Sequence, residues 1–311
     1  MDRDAAVEAR EGEAGYEPPS DVAGPGRSAT AATGHHRFVQ GDFDILVLSD
    51  GFITVPGDVV LPDASAAQRA SFLGRLDTVD GAVRSKTNIP VLRRGGEVIL
   101  VDIGSGAKYQ PTDGRLGANL EGAGIKAADV TRVVFTHAHP DHIWATIADD
   151  GSLTFPNATY YVGAAEWDYW MGPDDLGAWP DALRGFAAGA RRDLGAVRDR
   201  VVLLAPGDEV VPGLAALDTA GHTPGHLSLE VAGGDGLIIA VDVATNEIVS
   251  FEHPAWRFGY DMLPDLAIRN RGRLLDRAAT DRLKLLGYHW AYPGVGYAAR
   301  SGDGYRFVSA V

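Results

Sequence analysis

Four residues with metal-ligating side chains fall within the six-residue stretch HAHPDH. They are His137, His139, Asp141 and His142. In an extended backbone His137 and His139 point to the same side, because side chains alternate along a strand. Pro140 then bends the chain, so that Asp141 and His142 face a second, neighbouring point. A lone histidine is more often structural, but four ligand-type residues at this density predict a metal site.

Four adjacent residues cannot surround two metal ions, so further ligands must come from elsewhere in the chain. His222 lies in the Gly- and Pro-shaped segment GHTPGH, and Asp242 ends the apolar run LIIAVD, where a buried carboxylate is costly unless it is paired or bound to a metal. His289 lies in GYHWAYPG, which predicts an apolar strand. Each of the three also fits a structural role alone, but together they predict the remaining ligands. His226 is predicted to support the ligands rather than to bind metal.

Composition limits which metals the chain can bind and which classes of partner it favours. The 311 residues include no cysteine, so a metal must be held by imidazole and carboxylate, which suits zinc, manganese, iron, cobalt or nickel. The formal charge of −14 repels phosphate groups, which argues against a nucleic acid or an anionic membrane and favours a small-molecule partner. Without a signal-peptide pattern or a long apolar span, the chain is predicted to be cytoplasmic; a leader that had been removed would instead indicate a secreted or periplasmic protein.

The predicted elements place these residues at strand ends. Continuous apolar runs at 98–102 and 133–136 predict strands buried on both faces, and His137 follows the second run directly. Segment 37–55 predicts two strands joined by a turn at Ser49-Asp50-Gly51, and Gly95-Gly96 predicts a hairpin turn. Further strands are predicted at 159–162, 201–204, 214–219, 227–232 and 236–242. Helices are predicted at 64–75, 115–122, 141–148, 164–198 and 264–286, the last ended by Gly287 and followed by the short strand YHWAY.

Paired strands with helices between them indicate an α/β protein with two mixed β-sheets flanked by helices, a four-layer αββα sandwich. This domain is predicted to span residues 37–311. Residues 1–36 are rich in acidic residues, Ala, Gly and Pro without an apolar period, and are predicted to form a disordered acidic tail. The alternative is an arm that packs on a second subunit.

Four segments resemble the successive motifs of the metallo-β-lactamase superfamily, in that family's order. They are THAHPDH, DTAGHTPGH, the strand ending in Asp242, and YHWAYPGVG. The resemblance covers about residues 37–311 and implies the αββα fold. It also implies a ligand set: His137, His139 and His222 for one metal ion, Asp141, His142 and His289 for a second, and Asp242 as the bridge between them.

Within the superfamily, GDFDILVLSDG, PTDGRLGANL, FPNATYYV and GYRFV resemble the methyl parathion hydrolase-like subgroup. That likeness implies that Tyr109, Trp170 and Phe186 bind the substrate beside the metals, with core packing as the alternative for each ring, and it is compatible with a homodimer. Trp144 departs from the glycine pair common in the family, which predicts a narrower pocket or a reoriented following helix. The segment after Asp242 departs as well, and the substrate stays open.

Two divalent ions about 3.5–4 Å apart lower the pKa of a shared water. We therefore predict a metal-dependent hydrolase in which a hydroxide bridging two metal ions attacks a neutral ester-type substrate, such as an organophosphate triester, a lactone or an aryl ester. Zinc is the first choice, with Mn²⁺, Fe²⁺ or Co²⁺ as alternatives. Asp242 would fix the metal separation, and Asp141 would orient the hydroxide. The rival functions are an iron-dependent, sulfur dioxygenase-like oxidoreductase, a binding protein with a vestigial site, and a nuclease.

Overall fold

The computed structural model describes residues 35–172 and 181–311. The folded unit begins at His35, and His36 opens the first strand. The rest of the predicted tail, residues 1–34, lies outside the described residues, so its disorder stays a prediction.

The strands of the described residues form two mixed sheets, which confirms the predicted architecture. The first sheet contains β1 (His36–Gln40), β2 (Phe43–Pro56), β3 (Thr78–Val79), β4 (Ala82–Arg94), β5 (Glu97–Val101), β6 (Arg132–Phe135), β7 (Thr159–Gly163) and β8 (Val201–Leu204). The second sheet contains β9 (Glu209–Val211), β10 (Leu214–Asp218), β11 (Leu227–Val231), β12 (Leu237–Ile239), β13 (Lys284–Leu286), β14 (Val295–Ser301) and β15 (Gly304–Ser309).

Within the described chain, strand order in the first sheet is β1-β2-β4-β5-β6-β7-β8, with β3 beside β4, and in the second sheet it runs from β15 to β9. Strands β5 to β8 are parallel to one another, as are β12 and β13, and the other pairs are antiparallel. The carboxyl ends of β5 and β6 therefore lie together, and so do those of β12 and β13. The Gly95-Gly96 turn joins β4 and β5 as predicted.

The described residues form eight α-helices, most of which flank the two sheets. They are α1 (Gly57–Val60), α2 (Ala66–Leu73), α3 (Leu116–Gly122), α4 (Pro140–Ile143), α5 (Ala164–Trp170), α6 (Asp181–Ala196), α7 (Val249–Glu252) and α8 (Pro264–Asp281). α3 and α5 contact the first sheet, and α7 and α8 contact the second. One apolar core draws side chains from both sheets, so the layers stack in the order helix, sheet, sheet, helix. None of the described helices is both long enough and apolar enough to cross a lipid bilayer.

The predicted turn at Ser49-Asp50-Gly51 is wrong, because β2 passes through it as one strand with a register shift. The turn lies instead before Phe43, where Gly41 takes a positive φ of 54°. Asp50 is fully buried, and its Oδ1 accepts the N–H of Leu116 at 2.6 Å. A buried carboxylate with a partner 66 positions away does not mark a turn tip, which would be exposed to solvent.

The last helix is shorter than predicted. α8 ends at Asp281, where Arg282 adopts a left-handed conformation with φ 56°. The apolar residues that follow form β13, which pairs with β12 and β14. Burial between two strands thus overrides the helix propensity of this Leu- and Lys-rich segment. The segment YHWAY is a loop rather than the predicted strand, and this loop carries His289.

Candidate metal centre

All seven predicted ligands meet where the carboxyl ends of the central strands of the two sheets face each other. Backbone hydrogen bonds join the two sheets at this end. The N–H of Leu227 donates to the carbonyl of Thr136 at 3.0 Å, and the N–H of Asn88 donates to the carbonyl of Tyr288 at 2.9 Å. These residues form three overlapping groups of three. Within each group, every residue has one nitrogen or carboxylate oxygen that lies within 4.8 Å of those of the other two residues. The groups are, first, His137, His139 and His222; second, Asp141, His142 and His289; and third, His137, His142 and Asp242.

Asp242 lies between the first two groups. Its Oδ2 is 3.3 Å from Nε2 of His222, 3.4 Å from Nε2 of His289 and 3.7 Å from Nε2 of His142. Its Oδ1 is buried and has no hydrogen-bond partner among the described residues. Asp242 is not in β12 as predicted but in the short 3₁₀ helix Val241–Ala244 that follows it. Val241 has a positive φ of 53°, a strained conformation for a β-branched residue.

The first group consists of three buried imidazoles whose nitrogens face one another. Nδ1 of His139 lies 3.2 Å from Nε2 of His137 and 3.0 Å from Nε2 of His222. Nitrogens held at 2.0–2.1 Å by a tetrahedral zinc ion are separated by roughly 3.3 Å. The spacing of this group therefore fits a shared cation.

The outward nitrogens of three imidazoles are held by fixed acceptors. Nδ1 of His142 lies 2.8 Å from Oδ2 of Asp102, and Nδ1 of His222 lies 3.1 Å from Oδ1 of Asp261. Nδ1 of His289 lies 2.8 Å from the carbonyl oxygen of Lys86. Because each Nδ1–H donates outward, each neutral ring presents the lone pair of Nε2 to the centre. Nε2 of His142 is buried without a hydrogen-bond partner in the described part of the chain, as expected of an atom reserved for a cation.

Asp102 orients two of the predicted ligands at once. Besides His142, it accepts the backbone N–H of Thr136 at 2.9 Å and the hydroxyl of Thr136 at 2.7 Å. The same hydroxyl oxygen lies 3.2 Å from Nδ1 of His137 and accepts its proton. Asp102 directly follows β5 and has a positive φ of 60°, which turns its carboxylate toward the metal loop.

The first two groups differ in the direction in which the pKa values of their histidines are shifted. Burial and the neighbouring imidazoles lower the pKa of His137 and of His139 well below the ordinary value. Both rings are therefore neutral, which is the form that binds a metal.

The second group has the opposite character. Burial opposes a charge on His142, but Asp141, Asp242 and Asp102 outweigh it and raise its pKa to about 10. Burial is likewise outweighed at His289, where Asp242 and Asp141 raise the pKa well above the ordinary range. Against its burial, the imidazoles lower the pKa of Asp141 to about 2. The buried carboxylates thus stabilise positive charge at the second group, and a divalent cation would supply that charge in place of protons.

His226 has the supporting role that its position in the sequence predicts. Its Nε2 accepts the backbone N–H of Asp242 at 3.2 Å, so its Nδ1 carries the proton and donates to Thr219 at 2.9 Å. Thr219 in turn contacts Ser228, whose hydroxyl donates to the carbonyl of Ala240. This chain of hydrogen bonds fixes the backbone on both sides of Val241.

Aromatic rings surround the first group. Phe186 lies 5.6 Å from the ring of His139 and 6.3 Å from Tyr109, and both aromatic rings are half-buried. Trp170 packs edge-on against His139 at 6.1 Å, but it is fully buried and its indole N–H donates to Glu166. Phe186 is thus a partly exposed ring beside His139, Tyr109 packs against Phe186, and Trp170 packs behind His139; contact between these rings and a substrate stays a prediction.

Trp144 packs against α6 and Tyr109. A β-carbon at Gly189 of α6 would lie 2.4 Å from the Trp144 indole, so the glycine makes room for this ring. The ring of Tyr109 lies 5.8 Å away, and the guanidinium of Arg192 covers the indole at 5.3 Å. The indole thus sets the position of α6, which carries Phe186.

Three carboxylates that orient the site were not assigned a role from the sequence. Asp102 ends the apolar run VILVD just as Asp242 ends IIAVD, so the signal used for Asp242 applies to it as well. Glu166 lies in a helix among aromatic residues, and Asp261 lies in an irregular segment. Neither pattern distinguishes these two from surface acids.

Known structures share the fold of this chain. AidC, described as a dizinc quorum-quenching lactonase in complex with a product, aligns with a TM-score of 0.82 at 24% identity over 89% of this chain and 98% of that one. The hydrolase AbOPH of the beta-lactamase superfamily aligns with a TM-score of 0.82 at 25% identity and the same coverage. An N-acyl homoserine lactone hydrolase with its product at the catalytic metal centre aligns with a TM-score of 0.57 at 17% identity, over 81% of this chain and 94% of that one.

No curated protein sequence matches the chain significantly. The sequence model of the metallo-beta-lactamase superfamily, however, matches residues 83–289, about two thirds of the chain, and this span includes all seven converging residues. The fold, the order of the motifs and the match agree, and the chain belongs to the metallo-β-lactamase superfamily.

Proposed function

We propose that the protein is a hydrolase that binds two divalent cations and cleaves a neutral ester-type substrate. The observation that carries this proposal is the position of Asp242, whose Oδ2 lies within 4.0 Å of Nε2 of His137, His142, His222 and His289. One carboxylate between two groups of candidate ligands is an arrangement that suits two neighbouring cations. Zinc fits the nitrogen and oxygen donors of the site and is our first choice of metal.

When bound, such cations lower the pKa of a water molecule and polarise the bond to be cleaved. The chain's own residues prepare the site for this chemistry. Asp102, Asp261 and the carbonyl of Lys86 hold the rings of His142, His222 and His289, so that these imidazoles point inward before a substrate arrives. Asp141, 3.2 Å from Nε2 of His289, is placed to bind a cation and to accept a proton from the nucleophile.

We propose a lactone as the first substrate class to test, ahead of aryl esters and organophosphate triesters. Two observations support a neutral, partly apolar substrate: the half-buried ring of Phe186 beside His139, with Tyr109 packed against Phe186, and the formal charge of −14, which disfavours anions. Two of the structurally similar proteins are described as lactonases or lactone hydrolases, which supports testing lactones first. A methyl parathion hydrolase-like activity remains the second choice, and the iron-dependent oxidoreductase is not favoured.

The test combines metal analysis with a substrate panel. Purified protein is freed of metal, reloaded with Zn²⁺, Mn²⁺, Co²⁺ or Fe²⁺, and assayed on N-acyl homoserine lactones, aryl esters, phosphotriesters and β-lactams. We expect two ions per chain and metal-dependent hydrolysis of one neutral ester class. Oxygen consumption with a persulfide substrate and no hydrolysis would instead identify the oxidoreductase.

His142→Ala tests the two-cation arrangement directly. Removing this imidazole leaves Asp141 and His289 as an incomplete set, so we expect the loss of one of two bound ions and at least a hundredfold decrease in kcat/KM. His253→Ala is the matched control, because His253 stacks on Trp256 at 3.9 Å, outside the ligand set. Unchanged ion content and turnover in the His142→Ala protein would refute the proposal.

A further inference from the structure

A fully buried carboxylate outside the ligand set, that of Glu166 in α5, joins two segments of the metal centre. Its Oε1 accepts the backbone N–H of Ala138 at 2.9 Å and the indole N–H of Trp170 at 2.6 Å. Its Oε2 accepts the hydroxyl of Thr223 at 2.7 Å and the backbone N–H of Gly225 at 3.0 Å. Four donors face two oxygens, so the ionised carboxylate is the form that satisfies them all.

The two segments that this carboxylate joins are those of the first imidazole group. Ala138 stands between His137 and His139, and Thr223 directly follows His222. The first two imidazoles come from the loop after β6, and the third comes from the turn between β10 and β11. The relative position of three predicted ligands from two sheets is therefore fixed by this side chain together with the hydrogen bond from the Leu227 N–H to the Thr136 carbonyl.

The packing around these hydrogen bonds leaves little freedom. A β-carbon at Gly225 would lie 2.0 Å from the backbone nitrogen of Glu166, so the turn rests directly on the start of α5. One helical turn later, the ring of Trp170 packs against His139 at 6.1 Å. The packing and the carboxylate thus act on the same two segments.

We propose that Glu166 is a positioning residue that holds the imidazoles of His137, His139 and His222 together and thereby sets the cation affinity of the first group. The proposal rests on the proposed function only in requiring that cations bind. No hydrogen bond in the described part of the chain joins Glu166 to Asp141 or His289, so the second group should not depend on it.

The experiment measures each group separately. His142→Ala leaves the first group intact, and His139→Ala leaves the second. In each background, Glu166→Gln is compared with its parent by titrating metal-free protein with Co²⁺ in competition with a chromogenic chelator. The amide keeps the shape of the side chain but turns one acceptor into a donor, which then meets another donor.

We expect Glu166→Gln to weaken Co²⁺ binding about 10- to 100-fold where only the first group remains, and to leave binding unchanged where only the second remains. Thr223→Val removes one of the four hydrogen bonds and is expected to weaken binding about two- to tenfold in the first background alone; it serves as the test if Glu166→Gln does not fold. Glu97→Gln, in a half-buried pair with Arg132, is the matched control.

Equal weakening in both backgrounds, or weakening in neither, would overturn the role of Glu166. An unmutated chain that binds no Co²⁺ would overturn the metal centre itself, and this proposal with it. If the chain binds two ions but shows no hydrolysis of any ester, the assigned reaction fails while the role of Glu166 stands or falls on the titrations.

Discussion

At the scale of single residues, the centre is organised by carboxylates that do not belong to the ligand set. Asp102, Glu166 and Asp261 are all buried, and each accepts hydrogen bonds from a ligand or from backbone adjoining one. Asp261 has a further partner, the guanidinium of Arg271, which is 1% exposed and donates to it at 2.9 Å. His222, a predicted ligand, is thus hydrogen-bonded to a buried ion pair.

Asp261→Asn should therefore destabilise the fold as well as the site. The substitution leaves the buried charge of Arg271 without its counter-ion, and we expect the free energy of unfolding of the metal-free protein to fall by about 3 kcal/mol. Asp63→Asn is the matched control, because Asp63 pairs with Arg257 at the surface, where such pairs contribute about 0–1 kcal/mol. Urea unfolding measures both, and equal losses would show that burial of the Asp261 pair adds nothing.

At the scale of elements, the sequence predicted correctly those strands that are marked by a local pattern, such as an apolar run. The apolar run before HAHPDH is β6, and the ligand-type residues after it lie together with the other predicted ligands. The prediction failed where long-range pairing decides the structure: β13 is a strand because it lies between β12 and β14, and Asp50 is buried because Leu116 donates to it. Patterns within a short window carry no information about such partners.

Helix α6 carries a testable electrostatic feature. Asp193 is fully buried; its Oδ2 pairs with Arg192, and its Oδ1 has no hydrogen-bond partner among the described residues. Burial raises the pKa of Asp193 to about 6 in spite of Arg192. The folded state thus binds this proton more tightly than the unfolded state, so stability falls as the pH rises from about 4 to about 6.

Asp193→Asn should remove this pH dependence. We expect the variant to be about 2 kcal/mol more stable than the parent at pH 8, with the difference disappearing near pH 4. Urea unfolding of the metal-free proteins at the two pH values gives the comparison. A difference that does not change with pH would show that Asp193 is ionised throughout.

At the scale of the whole molecule, the centre links the two sheets. His137, His139, Asp141 and His142 follow strand β6 of the first sheet, whereas His222, Asp242 and His289 follow strands of the second. A bound cation therefore binds the folded chain and not its separated halves, so its binding free energy adds to the stability of the whole fold.

Metal removal should consequently lower the melting temperature. At a hundredfold excess of free ion over Kd, binding contributes about 2.7 kcal/mol, which corresponds to a shift of the order of 5 °C for a domain of this size. Calorimetry with Zn²⁺ or with a chelator tests this. Asp242→Ala, which lacks the shared carboxylate, should show little shift, and a shift as large as that of the parent would contradict the linkage.

The strained backbone at Val241 has a consequence for how this position tolerates change. A glycine there would relieve a torsional penalty of about 1–3 kcal/mol, but it would also remove a fully buried side chain worth about 1.5–3 kcal/mol. The two effects nearly cancel, so thermal denaturation would barely register the exchange. Because Asp242 follows directly, the exchange would act chiefly on the direction in which its carboxylate points.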